Sequence, residues 1–179
     1  MPKNKNIDSK IKKITFIILD VDGVLSDGSI IIASDGTEIK SFNVRDGAGV
    51  ALAQYVGIKF AIITGRASKA ITLRAKELKI DDLHQDIMEK AKTYEEIKIK
   101  HGLKDENICY VGDDVIDLPV FKRCGFSACP KDAVKEVAVL ADYVCKIKGG
   151  RGCVREVIEV ILKKQGLWEK ALRKYLRNA

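Results

Sequence analysis

Histidine is almost missing from this 179-residue chain, which has only His84 and His101. Its five cysteines, Cys109, Cys124, Cys129, Cys145 and Cys153, form no C-x-x-C pair. Together these shortages exclude a zinc site of the usual Cys/His kind. Cys109 and Cys145 lie in apolar runs and read as reduced, buried thiols. Long apolar runs are missing too. The longest, such as residues 14–19 and 60–63, are far too short to cross a bilayer. No apolar segment follows the Lys-rich start in the manner of a signal peptide, so a cytoplasmic protein without a membrane partner is expected.

The net charge is +7, but the body of the chain has no basic excess. Residues 1–13 carry +4 and residues 163–179 carry +5, so residues 14–162 carry −2. Nucleic-acid binders place their basic charge on the folded body, so no nucleic-acid partner is expected and the ends read as solvated tails. Apolar residues at 46% and charged residues at 32% fit a globular protein. The length suits one domain over residues 1–179, with a core at about 12–165 and a basic helix or tail from about 166.

Apolar runs alternate with amphipathic stretches. Strands are expected at 14–19, 58–63, 82–85, 108–111, 125–129 and 143–146. Helices are expected at 47–56, 68–78, 90–101, 116–123, 133–140 and from 152 to about 164, with a basic amphipathic helix at 167–176. Asp35-Gly36 between two β-branched runs, 29–33 and 38–42, signals a hairpin. Repeated strand–helix–strand units imply parallel pairing, hence a Rossmann-like three-layer α/β sandwich with a parallel central sheet. Such sheets bind ligands at their carboxyl ends. Asp20, Thr64 and Asp113 each follow an apolar strand there.

Asp20 and Asp22 bracket Val21. In an extended segment both carboxylates would face one spot and require a compensating cation or proton. Asp113, Asp114 and Asp117 add negative charge from another strand end. Carboxylates without Cys or His suit a hard ion, and Mg²⁺ is the natural choice. Lys90, opening a helix, can place a positive charge nearby. The set suits phosphoryl transfer: one carboxylate attacks phosphorus, and the other protonates the leaving alcohol and then activates water. Thr64 and the adjoining backbone N–H groups can hold the transferring oxygens.

Four motifs in this order resemble the haloacid dehalogenase superfamily: Asp20-Val21-Asp22-Gly23-Val24-Leu25, Ile63-Thr64-Gly65, Lys90, and Gly112-Asp113-Asp114 with Asp117. The resemblance implies Asp20 as nucleophile and Asp22 as acid/base. It implies Mg²⁺ held by the Asp20 and Asp113 side chains and the Asp22 carbonyl. Thr64 and Lys90 would bind the phosphoryl group, with Gly65, Asp114 and Asp117 in support. Only 41 residues separate Asp22 from Thr64, so no cap domain fits. The missing cover must come from a neighbouring subunit or a large substrate.

Further stretches resemble the capless 3-deoxy-D-manno-octulosonate 8-phosphate phosphatases. These are Phe42-Asn43-Val44-Arg45-Asp46-Gly47, Thr64-Gly65-Arg66 with Arg74, residues 110–117, and Gly149-Gly150-Arg151-Gly152. The resemblance implies substrate contacts at Asn43, Val44, Arg45, Asp46 and Gly47, and at Arg66, Arg74 and Lys90. It implies a site mouth near Gly149, Gly150 and Arg151. It also implies a homotetramer with hairpins meeting at its centre, each site closed by an adjacent subunit. Arginines suit the carboxylate of a sugar acid phosphate. Two positions depart from the family pattern: Ala51 replaces a long polar residue, and Cys153 replaces Ala. The alternatives are a nine-carbon sialic-acid-type 9-phosphate as substrate, a phospho-acceptor domain, or a non-catalytic oligomerisation module. Arg66, where the nine-carbon group tends to carry Glu, favours the eight-carbon acid.

Overall fold

The computed structural model describes residues 4–176, with side chains from residue 7 onward. Eight strands and eight α-helices are formed among these residues. Six strands make one parallel sheet: β1 (Phe16–Leu19), β4 (Lys59–Ile63), β5 (Leu83–His84), β6 (Ile108–Val111), β7 (Phe126–Cys129) and β8 (Tyr143–Val144). Their spatial order is β5-β4-β1-β6-β7-β8. β1 is therefore central, paired with β4 on one side and β6 on the other, in parallel register throughout.

All four β1 residues are buried, as a strand covered on both faces requires. Ile17 and Leu19 face a core made with α1 (Asn4–Ile11), α2 (Val44–Tyr55), α3 (Lys69–Glu77), α7 (Cys153–Lys164) and α8 (Trp168–Leu176). Phe16 and Ile18 face the opposite core, made with α4 (Lys90–Lys100), α5 (Leu118–Phe121) and α6 (Lys135–Leu140). Each fully buried Ile, Leu or Phe side chain contributes about 1.5–3 kcal/mol. These few residues thus anchor the strand that carries Asp20.

The hairpin forms as a separate two-stranded ribbon, β2 (Ile31–Ile32) against β3 (Glu38–Ile39), closed through Ala33–Thr37 and Gly36–Ala33 backbone bonds. Between the motifs lie only this ribbon, α2–α4, a 3₁₀ turn and the sheet strands β4, β5 and β6, so no cap domain is formed among the described residues.

Two expectations need correction. The Lys-rich start is not wholly a solvated tail: α1 packs Ile7 and the fully buried Ile11 against the core. Helix α2 begins three residues before the expected start, because Asn43 caps it by accepting a hydrogen bond from the Arg45 N–H at 2.8 Å. All five cysteines are free and buried. Both histidines bind the Asp82 carboxylate, with Nε2 at 3.0 Å (His84) and 2.7 Å (His101).

Candidate active site

Three neighbouring strands, β4, β1 and β6, end at one place, and each delivers a polar residue there. Asp20 follows β1 and is 5% exposed. Its Oδ1 accepts the Val21 N–H at 2.7 Å, and its Oδ2 pairs with Lys90 Nζ at 2.8 Å. Lys90 opens α4 and is itself buried. Its ammonium also donates to Asp117 Oδ1 at 2.7 Å. Thr64 follows β4, is buried, and accepts a long 3.4 Å bond from the Arg66 N–H.

Asp117 is fully buried and saturated. Besides Lys90 it accepts from the Tyr110 hydroxyl at 2.6 Å and from the Asp113 and Asp114 N–H groups at 2.9 and 3.1 Å. It therefore fixes the loop after β6. Asp114 is exposed, and its side chain accepts from the Val115 N–H to cap a short 3₁₀ turn over Val115–Asp117. Asp113 is left with a buried Oδ1 that has no hydrogen-bond partner.

One carboxylate oxygen from each of Asp20, Asp113 and Asp117 lies within 4.8 Å of the others. Fully ionised, three carboxylates against one Lys90 ammonium would leave two negative charges in a buried space. Burial pushes the Asp20 carboxyl up to about 7, with Asp117 adding to the rise and Lys90 opposing it. Burial, reinforced by Asp20 and Asp117, pushes Asp113 up to about 8. A dication fits this site: the donors are all oxygen, the charge deficit matches, and Asp113 Oδ1 is orphaned. Asp20 and Asp113 have acceptor capacity to spare, whereas Asp117 does not.

Asp22 departs from the expected geometry. The chain turns directly after β1, with Val24 and Ser26 N–H groups both donating to the Val21 carbonyl. Gly23 takes φ +82, and a Cβ there would collide with the Asp113 carboxylate. The Asp22 side chain is thus outside the acidic cluster. It accepts from Ser26 Oγ at 3.1 Å and pairs with Lys40, a residue the sequence reading did not single out.

The expected substrate residues scatter. Val44 and Arg45 are exposed at the start of α2. Asp46 does not face the acidic cluster: it is fully buried and its carboxylate accepts from backbone N–H groups at the start of α7, including Arg155 at 2.7 Å. Burial raises it to about 6 despite these bonds. Arg74 acts as a strut, donating to the Asn43 carbonyl at 3.0 Å and to Glu77 at 2.8 Å, and lying against Phe42 and Gly47. Arg66 is half exposed, donates to Glu38 at 3.1 Å, and comes within 3.9 Å of Asp22. Gly149 and Gly150 press backbone-to-backbone on the 23–27 loop, where a Cβ at Gly149 would meet the Gly23 carbonyl. Arg151 pairs with Asp27 at 3.1 Å. This turn buttresses the loop that carries Asp22.

A haloacid dehalogenase-like hydrolase model matches residues 82–157, the stretch that carries Lys90, Asp113 and Asp117. The 3-deoxy-D-manno-octulosonate 8-phosphate phosphatase of Escherichia coli K12 is 43% identical over 170 residues, which are 95% of this chain and 90% of that protein. This chain belongs to that phosphatase family. The Yersinia pestis family member is 41% identical over 95% of this chain and 91% of its own. The crystal structure of the Moraxella catarrhalis phosphatase, in complex with magnesium, phosphate and KDO, superposes with a TM-score of 0.93 at 38% identity, covering 96% of this chain and 99% of that one.

Proposed function

We propose that this family member is a Mg²⁺-dependent phosphomonoesterase that releases phosphate from 3-deoxy-D-manno-octulosonate 8-phosphate, a step of lipopolysaccharide inner-core biosynthesis. The observation that carries this reading is the buried Asp20–Asp113–Asp117 cluster around Lys90, with Asp113 Oδ1 lacking a partner. Asp20, Asp113 and the Asp22 carbonyl would hold Mg²⁺, which supplies charge neutralisation at the transferring phosphoryl oxygens.

The chain's own residues carry the steps. An Asp20 carboxylate oxygen forms a bond to phosphorus while the ester P–O bond breaks. The leaving oxygen takes its electron pair and receives the proton from Asp22. Water then attacks the aspartyl phosphate, Asp22 accepts the water proton, and the P–O bond to Asp20 breaks to release phosphate. Lys90 and Thr64 bind the phosphoryl oxygens. Lys90 also holds Asp20 in place, and Asp117 holds Lys90. Arg66, half exposed and 3.9 Å from Asp22, would meet the substrate carboxylate. The test is a phosphate-release screen over sugar phosphates. Turnover highest with the eight-carbon acid is expected. Equal turnover with neutral sugar phosphates would reduce the reading to a general phosphatase, and preference for the nine-carbon 9-phosphate would replace it.

The whole chain is read as one catalytic domain working in the cytoplasm; no helix among the described residues is long and apolar enough to cross a membrane. Its working form is read as a homotetramer. Ile31 and Ile39, cross-strand neighbours on one face of the hairpin, are 48% and 49% exposed, an apolar patch suited to burial against other copies. Ile31→Asp with Ile39→Asp is expected to yield monomers by sedimentation velocity, with kcat/KM for the sugar acid reduced at least about tenfold, equivalent to about 1.4 kcal/mol. A wild-type monomer with full activity would refute the shared-site reading.

A further inference from the structure

The hairpin does more than present an apolar face. Side chains alternate along a strand, so Glu38 and Lys40 point one way while Ile39 points the other. The inward pair reaches the 20–26 loop of the same subunit. Lys40 Nζ lies 2.5 Å from Asp22 Oδ1 and 3.1 Å from Glu38 Oε1, and its side chain is wholly buried. Ser26 Oγ donates to the same Asp22 Oδ1 at 3.1 Å. Asp22 Oδ2 is buried and has no hydrogen-bond partner; the nearest cation, Arg66 Nε, is 3.9 Å away. Arg66 in turn donates to Glu38 Oε2 at 3.1 Å.

Desolvating an ammonium largely offsets the attraction of its partners, so a buried pair of this kind is weak evidence of a role in stability. The two oxygens of Asp22 are treated differently: Oδ1 is held by two donors, and Oδ2, although buried, accepts no hydrogen bond. A carboxyl that must hand a proton to a leaving oxygen needs one oxygen fixed and the other available in a defined direction.

We propose that Lys40 is a positioning residue for Asp22, pinning Oδ1 so that Oδ2 is the atom that gives and takes the proton. The inference rests on Asp22 being the acid/base. Each site's proton-transfer geometry is then set by its own hairpin, in cis, whatever other copies contribute to closing the pocket.

The experiment compares two substrates in the full chain with Mg²⁺: the sugar acid phosphate, whose alcohol leaving group needs a proton, and p-nitrophenyl phosphate, whose leaving group does not. Lys40→Met, Lys40→Arg and Asp22→Asn are measured beside the wild type, with oligomeric state and thermal unfolding recorded for each. Lys40→Met is expected to lower kcat on the sugar acid about 10²-fold, within the span of general acid catalysis, with KM little changed. Its loss on p-nitrophenyl phosphate should be at least about tenfold smaller, and Lys40→Arg should recover most of the difference. Equal losses on both substrates, or a change confined to KM, would overturn the positioning role while Asp22→Asn still discriminates between the leaving groups. If Asp22→Asn shows no discrimination, the acid/base reading of Asp22 falls and the role of Lys40 falls with it.

Discussion

Asp20→Asn is expected to abolish Mg²⁺-dependent phosphate release, lowering kcat by about four orders of magnitude or more, as loss of a covalent nucleophile does elsewhere. The amide is isosteric but too weak a nucleophile to form the acyl phosphate. It also removes one of three clustered carboxylates, so the fold should not weaken. Without metal, thermal unfolding of the variant should occur at or above the wild-type temperature. Rapid-quench labelling should trap no phosphoenzyme. Turnover within tenfold of wild type would transfer the nucleophile role away from Asp20.

The second large effect concerns stability rather than rate. In the metal-free site Asp20 is raised to about 7 and Asp113 to about 8, in both cases chiefly by burial. Both values lie above the ordinary carboxylate range near 3.9. Between about pH 4 and 8 the folded chain therefore binds more protons than the unfolded chain. Stability contributed by these groups is present at low pH and is lost as pH rises through 7 and 8. This sign is opposite to that of an Asp stabilised by a salt bridge. Metal-free protein should thus become less stable from pH 5 to pH 8. Saturating Mg²⁺ at pH 8 should restore about 3 kcal/mol at a hundredfold excess over Kd, or roughly 5–10 °C in Tm. Asp113→Asn should flatten the pH dependence and blunt the Mg²⁺ response. Differential scanning fluorimetry with and without EDTA measures both. A Tm insensitive to Mg²⁺ at pH 8 would count against metal binding at these carboxylates.

Much of the fold was legible because buried parallel strands write themselves as short apolar runs. The 14–19, 58–63 and 108–111 runs became β1, β4 and β6, and the polar residue closing each marked the site. Asp35-Gly36 announced the hairpin for an equally local reason. What stayed hidden was set by non-local contacts. The direction of Asp22 depends on the positive φ of Gly23 and on a lysine 18 residues away. Asp46 and Arg74 read as ligand residues in the sequence; in the structure Asp46 Oδ1 accepts from the start of α7 and Arg74 donates to the Asn43 carbonyl, contacts that no local pattern announces. The motif resemblance implies a supporting role for Asp117, and its four donors make it the residue that organises both Lys90 and the Asp113 loop. Helix α1 leaves little trace in the sequence because Ile7 and Ile11 carry its packing.

The alternation of Glu38, Ile39 and Lys40 makes the hairpin a reading frame. A one-residue register shift at Glu38 would turn Lys40 outward and an isoleucine inward, disturbing the exposed Ile31–Ile39 face and the Lys40–Asp22 contact in the same event. Changes of two residues would keep both faces in phase. The hairpin can therefore lengthen or shorten over time only in even steps, unless a bulge absorbs the odd residue.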